Sequence, residues 1–124
     1  MQKSFLAPLL GNRETPCVLQ NLRNGRTLAD RIVAALDSQS RRKGLLHHET
    51  FPSGEALIIA PSNAIHMFFM RFAIDVVFLR RSGEVVTIKN RLRPWRIAVS
   101  PRAYLVIELP AGTVLETDTR PGDM

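Results

Sequence analysis

The stretch His66 to Leu79, HMFFMRFAIDVVFL, constrains this chain more than any other. Eleven of its fourteen residues are apolar, yet it carries one basic side chain, Arg71, and one acidic one, Asp75. A segment this apolar is expected to lie largely in a core. An ion left unpaired there costs on the order of several kcal/mol. The run therefore marks either a structural ion-pair network or the floor of a site, and other parts of the chain must supply the partners.

The composition is that of an ordinary globular protein. An apolar fraction of 45% and a length of 124 residues suit one domain that buries roughly two-thirds of its unfolded surface. The expected organisation is a loosely held arm over residues 1–15 and a single β-rich domain over residues 16–124. The longest apolar runs fall far short of the ~20 residues of a membrane span. The N-terminus has a lysine and a short apolar patch broken by Pro8, which does not read as a secretory signal. With Cys17 as its one cysteine, the chain forms no internal disulfide, and a cytoplasmic setting is the economical expectation.

Charge is unevenly placed. Residues 61–103 carry eight Lys and Arg against two acids, while residues 104–124 carry four acids against one base. A basic middle suits nucleic acid, anionic lipid or an acidic protein. A solvated arginine-rich face is the plainer explanation.

Turn signals divide the chain into short strands. Asn24-Gly25 predicts a hairpin with positive φ at both positions. Ser38 is a candidate N-cap for a two-turn helix stopped by Gly44. Ala56 to Ile59 reads as a strand closed by Pro61-Ser62-Asn63, and Ala73 to Leu79 as a central strand, apolar on both faces. Arg81 to Glu84 turns that strand back into Val85 to Lys89. Two prolines and several arginines make Arg91 to Pro101 a loop, and Tyr104 to Leu109 a further strand. The fold class expected is α+β and mostly β: a compact antiparallel or mixed sheet, barrel-like, with one or two short helices.

Asp75 and Glu108 are the carboxylates on strands expected to be buried. Close together, their pKa values would be pushed apart, as in an acid/base pair. The competing explanation is that each accepts a hydrogen bond from a backbone N–H or an arginine and holds a turn. Arg41, Arg42 and Lys43 fall in the last turn of the expected helix, where cations suit the dipole, though one of them has the reach to pair with a carboxylate. His66, Met67 and Met70 suggest a soft-metal site at first sight, but on a strand Met67 points away from His66, and no metal or cofactor is expected. His47 and His48 are neighbours that would splay apart. Cys17, Ser62 and Ser100 lack the context of a nucleophile. Trp95 stands among Arg91, Arg93 and Arg96 as the one aromatic-basic cluster. It suits stacking on a base or a phosphate surface, although a lone aromatic in such a loop more often clamps the loop down, so nucleic acid is not the favoured partner.

From about residue 27 to 124 the chain resembles the bacterial and archaeal family called domain of unknown function 192. The resemblance is carried by Arg41 with Gly44-Leu45, by Phe68-x-Met70, by Ile74-Asp75 with Phe78, and by the Gly83 turn with Val85-Val86. Val106-Ile107-Glu108-Leu109-Pro110-Ala111-Gly112 and Gly122-Asp123 complete it. Ala73 departs from a usual proline, Met67 from a small polar residue and Arg80 from an acidic turn residue. The family usually continues past Gly-Asp into another short strand.

The resemblance implies a compact, mostly β domain of uncharacterised function. It raises Arg41, Met70, Asp75 and Glu108, whose positions match the motif, and it makes Arg41 the cation of choice for a carboxylate. By analogy it also points to a protein partner linked to secretion or pilus assembly. The leading expectation is a non-enzymatic binding or accessory domain with Arg41, His66, Arg71, Asp75 and Glu108 in one polar network. The rivals are a small hydrolase or lyase using Asp75 and Glu108, within about 10 Å of each other, as acid and base, and an anion-binding surface between Arg91 and Arg102.

Overall fold

The computed structural model describes residues 18–35 and 50–124. The expected N-terminal arm, Cys17, His47, His48, and the expected helix with Arg41, Arg42 and Lys43 lie outside the described residues.

Two strands, both wholly buried, organise the rest. β6 (Ile74–Leu79) and β9 (Leu105–Pro110) pair antiparallel, with Ile74 opposite Pro110 and Leu79 opposite Leu105. Their β-branched and aromatic residues favour extended backbone, and being apolar on both faces they fit a sheet covered on each side. β4 (Glu55–Ile59) pairs antiparallel with β9, and β7 (Val85–Leu92) with β6. β3 (Arg31–Ala35) lies parallel to β4. The order is β3-β4-β9-β6-β7, a mixed five-stranded sheet. Among the described residues it ends at β3 and β7 and does not close into a barrel, as the sequence had suggested.

Each face has its own cover. On one face, Val77, Leu79, Leu105, Ile107 and Leu109 meet Leu19, Leu28 and Ala29 of a small hairpin. That hairpin is made by β1 (Leu19–Gln20) and β2 (Thr27–Ala29). Its turn opens wider than two residues, and of the Asn24-Gly25 pair Gly25 alone has positive φ. Val114 of α1 (Thr113–Glu116) joins the same cluster. On the other face, Val76, Phe78 and Val106 meet Ile65, Met67 and Ala98. These come from a two-stranded ribbon of β5 (Ala64–His66) and β8 (Ile97–Val99). The expected loop from Arg91 to Pro101 is therefore partly strand at both ends: β7 runs on to Leu92, and Ile97 begins β8.

The apolar run is likewise split. Ile74 to Leu79 is core, but His66, Phe69 and Arg71 are exposed, and the chain leaves the sheet between β5 and β6. Among the described residues no helix is long and apolar enough to cross a membrane.

The C-terminal segment laces these layers together. The Asp123 carboxylate accepts from Asn21 Nδ2 (2.9 Å), Arg23 Nε (2.7 Å) and the Arg120 N–H (2.8 Å). The Val85 N–H donates to the Asp123 carbonyl at 2.7 Å, tying the start of β7 to the same point. Burial pushes the Asp123 carboxyl up, but the hydrogen bonds from Asn21, Arg23 and Arg120 outweigh it and hold the group below its usual range. Asp123→Ala is expected to lower stability by about 1–3 kcal/mol, the worth of hydrogen bonds to a buried charge, in urea unfolding at neutral pH. The β1–β2 amides should lose exchange protection first.

Candidate functional site

Asp75 is fully buried, and its partners among the described residues are backbone groups rather than an arginine side chain. Oδ1 accepts from the Arg91 N–H at 2.9 Å; Oδ2 accepts from the Gly112 N–H at 3.0 Å and the Val114 N–H at 2.9 Å. The pairing of β6 with β7 explains the first bond. Ile74 lies opposite Leu92 but Val76 lies opposite Lys89, so Asn90 and Arg91 together face Asp75. This is a β-bulge, and the Asp75 side chain takes the amide that the ladder leaves over. Arg91 is left-handed there at φ 51°, as is Gly112 at φ 100°. One carboxylate thus fixes the end of β7 and the turn into α1.

Glu108 answers to a different environment. Val76 is the residue opposite Glu108, and Leu109 the one opposite Asp75. Neighbours along a strand point to opposite faces, so the two carboxylates project from opposite sides of the sheet. The acid/base pair in a shared cleft is not assembled. Glu108 lies across from Leu57 on β4 as well as Val76, and burial pushes its carboxyl up to about 7.

The five-member polar network is not gathered either. Asp75 and Glu108 are on opposite faces, His66 and Arg71 are exposed, and Arg41 lies outside the described residues. His66 instead ends β5 with its ring stacked on Phe68 at 4.8 Å, and its Nδ1 accepts the Phe68 N–H at 3.3 Å. Met67 is buried core while His66 faces away, and Met70 is half-buried against the same cluster. Ser62 and Ser100 hold turns, Ser62 Oγ donating to the Ala64 carbonyl and Ser100 Oγ sharing a proton with Thr87 Oγ1.

What the structure does bring together is aromatic and basic. Phe68 and Trp95 stand 5.9 Å apart, and Phe69 and Trp95 4.8 Å apart, extending the His66–Phe68 stack into a row of four rings. Trp95 is 58% exposed and Phe69 69%, so Trp95 does not clamp its loop to the body. Both have positive φ, 69° and 65°. Bulky residues resist that region, at a cost of about 1–3 kcal/mol each, and such strain concentrates at binding and catalytic sites. The backbone around them is pinned: the Trp95 N–H donates to the Met67 carbonyl and the Met67 N–H to the Arg96 carbonyl, both at 2.7 Å.

Beside the rings, Lys89, Asn90, Arg91, Arg93 and Arg96 line an open depression of about 410 Å³ that reaches Ile97. No Asp or Glu lies between Glu55 and Asp75 or between Glu84 and Glu108, so the end of β7 and the segment leading into the ribbon carry cations with no carboxylate among them. Arg91, Arg93, Trp95 and Arg96 were legible as a cluster from their spacing. Phe69 was missed, because nothing local distinguishes it from Phe68 until its backbone conformation is known.

Fold and surface together define a mixed-sheet, β-rich domain with an arginine- and aromatic-bearing ribbon on one face. The chain belongs to the DUF192 family, described as an uncharacterized ACR, whose model matches residues 20–124. It is 38% identical over 113 residues to a UPF0127 protein of Thermococcus sibiricus, covering 86% of this chain and 71% of that one. A UPF0127 protein of Pyrococcus furiosus is 41% identical over 61 residues, 48% of this chain and 52% of the relative. Among solved structures, a protein of Sinorhizobium meliloti provisionally named a transcription regulator aligns with TM-score 0.74 and 25% identity, over 86% of this chain and 87% of that one. A protein of unknown function from Novosphingobium aromaticivorans aligns with TM-score 0.75 and 20% identity, over 88% and 81%, a likeness of fold.

Two outcomes test the carboxylates. Asp75→Asn puts an amide against three N–H donors and is expected to cost about 3–5 kcal/mol in urea unfolding, as for a buried charge network losing a member. Hydrogen exchange at Arg91, Gly112 and Val114 should rise above that elsewhere in the sheet. Glu108 is tested through pH. Its folded pKa of about 7 exceeds the ordinary 4.5, so the folded state holds a proton that the unfolded chain releases between those values. The stability it contributes is full below pH 4.5 and is lost as pH rises through about 7. Glu108→Gln is therefore expected to gain up to about 3 kcal/mol over the parent at pH 8 and little at pH 4.5. Equal effects at both pH values would count against this assignment.

Proposed function

We propose that this protein is a non-enzymatic binding domain whose contact face is the surface formed by the β5–β8 ribbon and the end of β7. Its ligand is an anion held in the cationic depression beside the ring row. The observation that carries this reading is the pair Phe69 and Trp95, exposed at a backbone cost, with Trp95 between Arg93 and Arg96 in the chain, two of the cations that line the depression. A solvated arginine face would account for the charge, but it gives no reason to strain two aromatic residues outward. The separation of Asp75 and Glu108 onto opposite faces weighs against the hydrolase or lyase alternative. Asp75 serves this surface indirectly, as the positioning residue that holds Arg91 in its bulge.

Trp95 is the only tryptophan of the chain, so its emission reports on the proposed face without labelling. Titration with inorganic polyphosphate should change Trp95 emission at low salt, and the apparent affinity should fall steeply as salt is raised, since each neutralised charge releases counterions. Arg93→Glu with Arg96→Glu should weaken binding by at least about tenfold, each reversal replacing attraction by repulsion across a screened surface. Unchanged affinity in the double variant would overturn the reading.

A further inference from the structure

We infer that the anion this face meets is the headgroup layer of an anionic lipid surface, on which the domain sits peripherally; the inference rests on the anion-binding reading above. The ribbon register supplies the argument. Ala64 pairs with Val99, Ile65 with Ala98 and His66 with Ile97. The middle pair, Ile65 and Ala98, is buried against the sheet, so the outer pairs face away from it. Ile97 is 61% exposed and Val99 54%, and Ile97 lies across from His66, which ends the ring row that includes Trp95 and Phe69.

Apart from His66, the outward side chains of the ribbon, Ala64, Ile97 and Val99, are apolar and exposed, and the cationic depression reaches them at Ile97. A ligand that matches both parts must be amphiphilic, with anionic groups for the arginines and apolar groups for Trp95, Phe69, Ile97 and Val99. Lipid interfaces take amphipathic surfaces in this way, with Trp and Phe at the boundary of headgroup and acyl chain and cations at the phosphates.

Other occupants fit less well. Ile97 and Val99 neither stack on a base nor hydrogen-bond to one, and the Phe69 and Trp95 planes are inclined at 59°, which breaks a continuous stacking platform for a nucleic-acid strand. A second copy would bring the same cations to the same face, with no Asp or Glu on the ribbon to oppose them.

The full chain should be mixed with vesicles of phosphatidylcholine alone and of phosphatidylcholine with an equal part of phosphatidylglycerol. The expected result is co-sedimentation with the anionic vesicles only, a blue shift of Trp95 emission, and quenching by lipids brominated on the acyl chain. Phe69→Ala with Ile97→Ser changes only exposed side chains and keeps Trp95; it should weaken vesicle binding roughly tenfold and by clearly more than it weakens polyphosphate binding. Capture without blue shift or quenching, and insensitive to that variant, overturns the lipid inference. So does binding to a single-stranded oligonucleotide or to polyphosphate with none to vesicles, and in those cases the anion-binding reading stands. Failure to bind any of the anions overturns both.

Discussion

Three backbone N–H groups converge on the Asp75 carboxylate, and the placement of the basic surface follows from that convergence. Asp75 sits on β6 with no ladder partner of its own on β7, because the bulge sets two residues against one. Its two oxygens take the amides of Arg91, Gly112 and Val114, which belong to the end of β7 and to the turn and helix after β9. Without the carboxylate, the buried Val114 amide and the partly buried Arg91 and Gly112 amides would lose their acceptor. With it, β7 bends at Arg91 and delivers Arg93 and Trp95 to the ribbon side of the sheet.

Glu108 shows how far environment overrides residue type. It is one strand away from Asp75 and almost as deeply buried, yet it looks to the other face. Asp75 meets donors and exchanges solvation for three hydrogen bonds. Glu108 lies among the apolar side chains of β4 and β6, where keeping a proton is the cheaper state. The two-residue period of a strand makes this difference, since moving along the chain by one position exchanges one layer of neighbours for the other.

The strands at Ala56 to Ile59, Ile74 to Leu79 and Leu105 to Leu109, the Gly83 turn and the buried nature of Ile74 to Leu79 were legible in the sequence, because apolar runs bounded by turn residues are local signals. So was the alternative that Asp75 holds a turn through backbone N–H groups. The region from Arg91 to Pro101 was harder. Its prolines and arginines read as loop, but β8 forms because its partner β5 lies far upstream and presents free ladder groups. Trp95 was expected to clamp its loop; instead Met67 does so, through its own backbone bonds to Trp95 and Arg96, which leaves the indole outside.

The sequence by itself determined the central strands of the sheet, which stretch must be covered on both faces, where the charge concentrates, and the family to which the chain belongs. These depend on composition and on short periods that each segment carries within itself. Only the tertiary structure decided that Asp75 and Glu108 face apart, that His66 and Arg71 leave the core, and that Phe69 joins Trp95 at the surface. Those outcomes depend on the register of β6 against β9, on one extra residue in β7, and on a pairing between β5 and β8. The HMFFMRFAIDVVFL run is therefore two things: its second half, from Ile74, is the centre of the sheet, and its first half alternates, with His66, Phe69 and Arg71 at the surface and Met67 in the core. The energetic reason is that a strand apolar on both faces is favoured where both are covered, and within this run that cover exists only from Ile74 to Leu79.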